Sequence, residues 1–554
     1  MKKLHGVSFS TLELLEPRIQ FSAVSPSGAI ALQIDSSTLV HTLARLSMPR
    51  NSIGATTVGS KAIFAGGLAS DPDHPIYAFP VKTIDFYDSA TGTWSAGTLP
   101  TAGYPAIAVT AGTKGVFTAG GPVDIYDGAT GQWSSSRLSV ERQNPSVAVV
   151  PFSAKVIFAG GLIVRGGNLN PIPVGAIDLY DASTNQWSTA SLSQARAEIA
   201  TATVGTKVLF AGGVPNFTGD GPSTKSNAVD IYDGATGQWS TAKLSVPRSE
   251  VAGAGVGNYA IFAGGIYYSK KTRGGLYSNA VDIYNNSTGR WTTAKLSSAR
   301  VVISAATVGT KAVFIGPSFS NRGNAVDVFD SVTGRWSHTT LLTGKYQSAV
   351  AVLGTKAIFG GAGSGSIAMY DAATNVWSTV EFTSNSGQGG ATVVGNQALF
   401  AGGNDSVDVF TDTTPTAVLS GSLTGRLGRM DSVTVLNTGD AALSGSYSIN
   451  LYASRDRTLQ NAVLAGSLIV PFPLPAGASA TFGVRTILPK DTPAGTYHLL
   501  AAISDGTGHL TPIAAEDATF RVGGKQVAEP AGIRDAKSRA GAFTRRAHSA
   551  GLWT

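Results

Sequence analysis

The chain has 554 residues, of which 14% are charged, 67 are glycine and none is cysteine, and its formal net charge is +7. That length exceeds a single hydrophobic core, so two or more domains are expected, and the lack of cysteine excludes disulfides, thiolate metal sites and a cysteine nucleophile together. The positive charge is local: residues 524–554 hold six Lys and Arg against two acids while the body is nearly neutral, which argues against a nucleic-acid groove.

Residues 1–28 begin with Lys2 and Lys3, but no apolar run of signal-peptide length follows, and nothing in the chain approaches membrane-spanning length. Leu15-Glu16-Pro17-Arg18, then Ile19, Gln20-Phe21 and Ser22-Ala23, resembles the LEPR-XLL leader of some bacterial surface and exported proteins. It departs from that pattern at Gln20-Phe21, where two leucines are wanted. The resemblance implies a disordered sorting segment and an extracellular or cell-surface location.

From residue 29 to residue 412 a repeat of roughly 40 to 54 residues takes over. An apolar run closed by glycines recurs, as FAGG at Phe64, Phe158, Phe210, Phe262 and Phe400. Trp94, Trp133, Trp187, Trp239, Trp336 and Trp377 each lie six residues after an Asp, and Trp291 six after Asn285. One unit, residues 199–244, reads as four short strands bounded by Gly, Asp, Asn and Ser. Asp233 to Gly237 is a turn, since Asp can bond its own backbone and Gly accepts positive φ. Four antiparallel strands in such a unit predict the blade of a β-propeller.

Apolar run, Gly-Gly, Tyr-Asp and then Trp resembles the kelch repeat. The six-residue spacing separates it from the sialidase Asp box, where Asp precedes Trp by five. The glycine strand and the strand after it occur eight times, but the tryptophan strand only seven. His41 to Arg50 (HTLARLSMPR) aligns with Trp239 to Arg248 (WSTAKLSVPR), so an N-terminal outer strand is expected to complete the last blade. Eight blades are expected, with seven as the alternative.

Past Pro415, strand runs separated by Gly, Pro and Asp turns at about ten-residue spacing predict a β-sandwich over residues 413–523. Asn437-Thr438-Gly439, Pro475-Ala476-Gly477 and Pro493 to Tyr497 together resemble the bacterial cell-adhesion-related (CARDB) immunoglobulin-like domain. Residues 524–554 read as a basic disordered tail.

Some kelch-like propellers are copper oxidases whose site needs two His, two Tyr and a Cys. Here Cys is missing and the seven histidines are scattered, so that site is argued against. The Asp residues recur at repeat positions, which is how structural residues behave, and no phosphate loop or metal-ligand cluster is evident. No cofactor, metal or catalytic residue is assigned.

The candidate binding residues follow from departures between repeats. A cation nine residues after the Trp position recurs as Arg50, Arg142, Arg196, Arg248, Arg300 and Lys345, on the face expected to carry the long loops. Those loops bear Tyr77, Phe79 and Phe217, and the most site-like cluster is Tyr267, Tyr268 and Tyr277 with Lys270, Lys271 and Arg273. The expectation is a non-catalytic binding or adhesion protein holding a protein or glycan partner, acidic in character if the cations converge. The alternative is a secreted carbohydrate-active enzyme with its site in the propeller mouth.

Overall fold

The computed structural model describes residues 39–522 except 71–77, 104–106, 119, 152, 165–170, 218–223, 270, 273, 302–303, 318–323, 342–348, 361–365, 382–388, 403–404, 414–418, 425–429, 438–442, 456–458, 460–461, 475–477, 490–491 and 505–509. The leader and tail expectations therefore lie outside the described residues. Among the described residues there is no helix, and the chain divides into two units, Met1–Thr414 and Pro415–Thr554.

Among the described residues, the first unit is a succession of eight antiparallel sheets of four strands, the first carrying a short fifth, with two further two-stranded hairpins. The fourth illustrates how sequence becomes sheet: Ala200–Val204, Lys207–Ala211, Ala228–Asp233 and Gln238–Lys243 pair in that order. Val208 to Ala211 are buried on both faces, which suits a strand covered on either side, whereas Gln238–Lys243 alternates and turns polar residues to water. The register sets Tyr232 opposite Trp239, with ring centroids 5.1 Å apart. At the turn, the Ala235 N–H donates to Asp233 Oδ1 (3.0 Å), and Lys207 Nζ lies 2.8 Å from Asp233 Oδ2.

Burial explains why the aromatic positions repeat. The half-buried Trp239, with Tyr232 and Phe210, faces apolar residues of the third sheet such as Ile157 and Ile177. Trp291 faces the fourth sheet in the same way, and one such apolar cluster lies between each consecutive pair of sheets. A further cluster joins Leu399, Val407 and Val409 of the eighth sheet to Phe64, Tyr87 and Trp94 of the first. Between those two sheets Thr57 Oγ1 lies 2.8 Å from Thr392 Oγ1 and donates to Val393 O (2.7 Å).

The eighth sheet takes its outer strand from the start of the unit. Leu39–Arg45 pairs antiparallel with Ser406–Asp412, setting His41 opposite Phe410. His41 stacks on Phe410 at 4.6 Å, as the tryptophans lie against the Tyr or Phe opposite them, and its Nε2 lies 2.7 Å from Asp408 Oδ1.

Among the described residues the second unit has two antiparallel sheets. One is Leu419–Thr424, Met430–Asn437 and Ser479–Arg485; the other runs Val463–Leu474, Leu443–Ser454, Gly495–Ser504 and Leu510–Val522. Val433, Val435 and Val484 from the first meet Ile449, Leu451 and Leu499 from the second in a shared core. The Tyr497 hydroxyl donates to Pro493 O (2.7 Å), and Arg455 lies over the Tyr497 ring at 5.1 Å.

Removal of residues 1–45 leaves Ser406–Asp412 as an open edge. We expect stability to fall by several kcal/mol, on the order of losing one half-buried strand face, read as a lower denaturant midpoint. An unchanged midpoint would show that the strand is dispensable.

Both ends of the pH scale also report on the turns. A hydrogen bond from Lys114, then one from the Ala129 N–H, hold the Asp127 carboxyl below the usual range. A lowered folded pKa gives stability that is present above the ordinary carboxylate value of about 4 and is lost as pH falls through the folded value. Asp127→Asn should therefore lower the thermal midpoint at neutral pH and make its decline in acid shallower. At the other end, burial, then Asp330 and Asp371, push the Tyr370 phenol up to about 12. Its contribution is complete below about pH 10 and disappears as pH rises through that folded value.

Candidate functional site

Five of the connections from one sheet to the next are five residues of Leu-Ser-x-x-Arg, at Leu46–Arg50, Leu138–Arg142, Leu192–Arg196, Leu244–Arg248 and Leu296–Arg300. The leucine is buried. The serine N–H donates, at 2.8–3.0 Å, to an Asp on the third strand of the following sheet: Asp85, Asp178, Asp230, Asp282 or Asp327. The arginine pairs with that same Asp, at 2.6 Å for Arg50–Asp85, 2.8 Å for Arg142–Asp178, 2.7 Å for Arg196–Asp230 and 2.5 Å for Arg300–Asp327. Arg248 pairs likewise with Asp282. The guanidinium also donates to the carbonyl of the repeated phenylalanine: Phe64, Phe158, Phe210, Phe262 or Phe314.

This corrects the reading of the repeated cations as a ligand-binding ring. Arg50, Arg142, Arg196, Arg248 and Arg300 are at most 1% exposed, so no partner on the surface can reach them. Burial lowers the Arg196 and Arg248 pKa, opposed by Asp230 and Asp282, and the guanidinium stays charged against its carboxylate. Lys345 lies outside the described residues. The VDIYD strand is covered on both faces, so its first Asp is buried, and a buried carboxylate requires a partner.

What the clamp holds is the base of the loops. Beside Arg196, Ala197 pairs with Val214 through two backbone hydrogen bonds of 3.0 and 2.8 Å. Asn51 with Leu68, Gln143 with Leu162, and Ser249 with Ile266 repeat the arrangement. The Gly212-Gly213 pair exists for this meeting of backbones. Both residues have left-handed φ (69° and 104°), and a Cβ on Gly213 would collide with the Ala197 carbonyl. Beyond these bases the described insert residues pair as short ladders, Leu68–Ser70 with Ala78–Pro80, Leu162–Ile163 with Ile172–Pro173 and, longest, Ile266–Ser269 with Gly274–Tyr277.

In that hairpin Ile266 is opposite Tyr277 and Tyr268 opposite Gly275, so Tyr268 and Tyr277 share one face while Tyr267 and Leu276 share the other. Tyr267 and Tyr268 are half-buried; Tyr277 and Lys271 are exposed. Lys270, Arg273 and Tyr77 lie outside the described residues. Phe79, on the first sheet's hairpin, is exposed beside a cavity of about 350 Å³ that Met48 and Leu68 also line, and Phe217 is half-buried.

Two residues that sequence reasoning passed over sit next to the hairpin bases. Glu198 and Glu250 each follow a clamp arginine by two positions and hold left-handed φ of 55° and 52°, as Ser52 and Asn144 do in the other connections. Partial desolvation, then the charge of Glu198, push the Glu250 carboxyl above its usual range, with Lys225 opposing.

The first strands of the sheets are chemically bare. A cavity of about 330 Å³ is lined by Val149, Thr201, Thr203, Gly255 and Thr307 among other small neutral residues. Gly255 permits the fifth sheet's first strand to touch the fourth's, because a Cβ there would strike the Thr203 carbonyl. Among the described residues, no group of three His, Cys, Asp or Glu could hold a metal ion.

No family model matches the chain, and no curated protein matches it. Among solved structures it is similar to YjhT, with 14% identity and a TM-score of 0.36 over 53% of this chain and 99% of that one. It is also similar to a fungal alcohol oxidase of the AA5 family in complex with copper, with 14% identity and a TM-score of 0.43 over 87% and 98%. The computationally designed protein Ika8 gives 16% identity and a TM-score of 0.47 over 66% and 98%.

Breaking one clamp should be costly, and removing it whole should not. Arg248→Met strands Asp282 as a buried charge and should cost about 3–5 kcal/mol, whereas Arg248→Met with Asp282→Leu should recover most of that loss. Chemical denaturation of the two variants checks it. Equal losses in both would mean that the pair stabilises by itself, beyond satisfying its own charges.

Proposed function

We propose that this chain is a non-catalytic binding protein, an eight-bladed kelch-type propeller followed by an immunoglobulin-like, CARDB-type sandwich. The propeller reading is supported by the pairing of the first strand with the last sheet and by the apolar cluster between the eighth sheet and the first. The sandwich reading is supported by strand order: strands one, two and five of the second unit in one sheet, strands four, three, six and seven in the other. The LEPR-XLL-like sequence of the leader supports a location outside the cell or on its surface.

The observation that carries the binding role is the anchoring of the loops. Buried ion pairs secure the bases of loops whose sequences differ between sheets, and variable loops on a rigid frame are where recognition resides. The partner is a protein or a glycan. To test this, full-length protein is applied to glycan and peptide arrays beside a variant in which residues 266–277 are replaced by a two-residue Gly-Pro link. We expect a retained partner for the parent chain and at least tenfold weaker retention for the variant at an unchanged thermal midpoint. Undiminished binding by the variant would refute a role for that loop.

One observation favours a second reading, a carbohydrate-active enzyme. Glu250 and Glu198 lie on adjacent connections and interact, and a carboxyl raised by desolvation beside a second carboxylate is suited to act as a general acid. Release of reducing ends from a polysaccharide, abolished by Glu250→Gln, would establish it and displace the binding reading.

A further inference from the structure

We propose that the eighth sheet of the first unit opens by itself, with Leu39–Arg45 as a strap that leaves it and closes on it again while the other sheets stay folded.

Three observations carry this. The first is how the strap is attached. In the fourth sheet a tight turn joins the third strand, Ala228–Asp233, to the outer strand, Gln238–Lys243, whereas Leu39–Arg45 reaches Ser406–Asp412 from the far end of the unit. None of its seven residues is buried. Its side-chain contacts to the sheet include the His41 stack on Phe410, the His41–Asp408 contact and an ion pair of Arg45 with Asp405. Arg45 is 77% exposed, and a pair so open to water adds little. The next few residues, by contrast, are fixed: Leu46 is buried in the cluster shared with the first sheet, and Arg50 is clamped on Asp85. The strap therefore swings from a secured hinge and stays beside the edge it leaves.

The second observation is the seam between the seventh and eighth sheets. Sequence puts Ser386 where other connections have the clamp arginine, and His41 where other sheets have the tryptophan; no other joint lacks both. Trp377 of the seventh sheet is buried against the sixth, whereas the cluster between the seventh and eighth relies on Phe400, Phe410 and smaller residues such as Ala351 and Ala398. A joint without its largest apolar side chain and its buried ion pair gives up most of what holds its neighbours together.

The third is a change of partner at that seam. In five sheets the lysine that begins the second strand pairs with the turn Asp of its own sheet, as Lys311 does with Asp330. Lys356 of the seventh sheet instead reaches Asp412 of the eighth at 3.1 Å, and the two side chains are only 5% and 12% exposed. This pair crosses the seam beside the start of the strap, since Asp412 stands opposite Leu39, and serves as its latch.

The experiment follows hydrogen exchange of the full-length chain in sub-denaturing guanidinium chloride. Amides of Leu39–Arg45 and Ser406–Asp412 should lose protection together, with protection factors about a hundredfold below those of Ala228–Asp233 and Gln238–Lys243. The chain has no cysteine, so Val40→Cys/Thr411→Cys, which stand opposite each other in the register, provides a reversible lock. Oxidation of that pair should slow exchange in both strands about tenfold, and reductant should restore it, with the fourth sheet unchanged. Lys356→Met should speed exchange in the eighth sheet about tenfold, whereas Lys311→Met, whose pair lies within one sheet, should not.

Equal protection in the fourth and eighth sheets, or earlier loss in any other sheet, would overturn the proposal, and the parent chain alone decides this even where a variant fails to fold. Opening that persists unslowed in the oxidised variant would show that the strap is not its exit. An unchanged rate in Lys356→Met would refute the latch.

Discussion

The first unit depends on a buried charge pair that recurs in five of its connections. An arginine and an aspartate taken out of water would each cost several kcal/mol unless paired and hydrogen-bonded. Here nearly every obligation is met locally: Asp282 accepts from the Ser245 N–H and from Arg248, and Arg248 also donates to the carbonyls of Phe262 and Gly264. The pair therefore joins three pieces of chain that are distant in sequence: a connection, a second strand and a third strand. Its geometry demands one arrangement, so it specifies the joint as much as it strengthens it.

Where the pair is missing, the sheets substitute for it. Asp124 of the second sheet accepts from Thr101 and Ser135. In the seventh sheet Ala368 stands where the others have Asp, so no carboxylate there calls for an arginine. In the eighth, spacing puts Ser386 in the arginine's position, and Asp408 lies against His41 from the opposite edge. The turns show the same logic. In the fifth sheet Tyr259 and Asn285 together replace the Lys and Asp that stand there in six of the other sheets, and Tyr259 packs on Phe329.

Most of the sheet architecture was legible because it is periodic. The glycine pair, the Asp turn and the tryptophan each answer to one local requirement, and His41 could be placed opposite Phe410 by aligning it with Trp239. The arginines were misplaced for a physical reason: their partners lie 27 to 36 residues further along, in the next repeat. Pattern reading within one repeat sees a lone cation and sends it to water. The tyrosine hairpin was legible as composition, but which rings share a face required the register, with Tyr268 opposite Gly275.

The contact between His41 and Asp408 spans 367 residues of chain. Every other sheet of the first unit is complete within one stretch of sequence and can form as soon as that stretch is available. The eighth alone must wait for both ends of the unit, so its strand at Leu39–Arg45 is made first and paired last. Closing so long a loop is entropically slow, and an unpaired edge with exposed Val40 and Leu43 is open to strands of other molecules meanwhile. Assembly of this unit is thus ordered by its topology, with the final step the one most exposed to competition at high concentration.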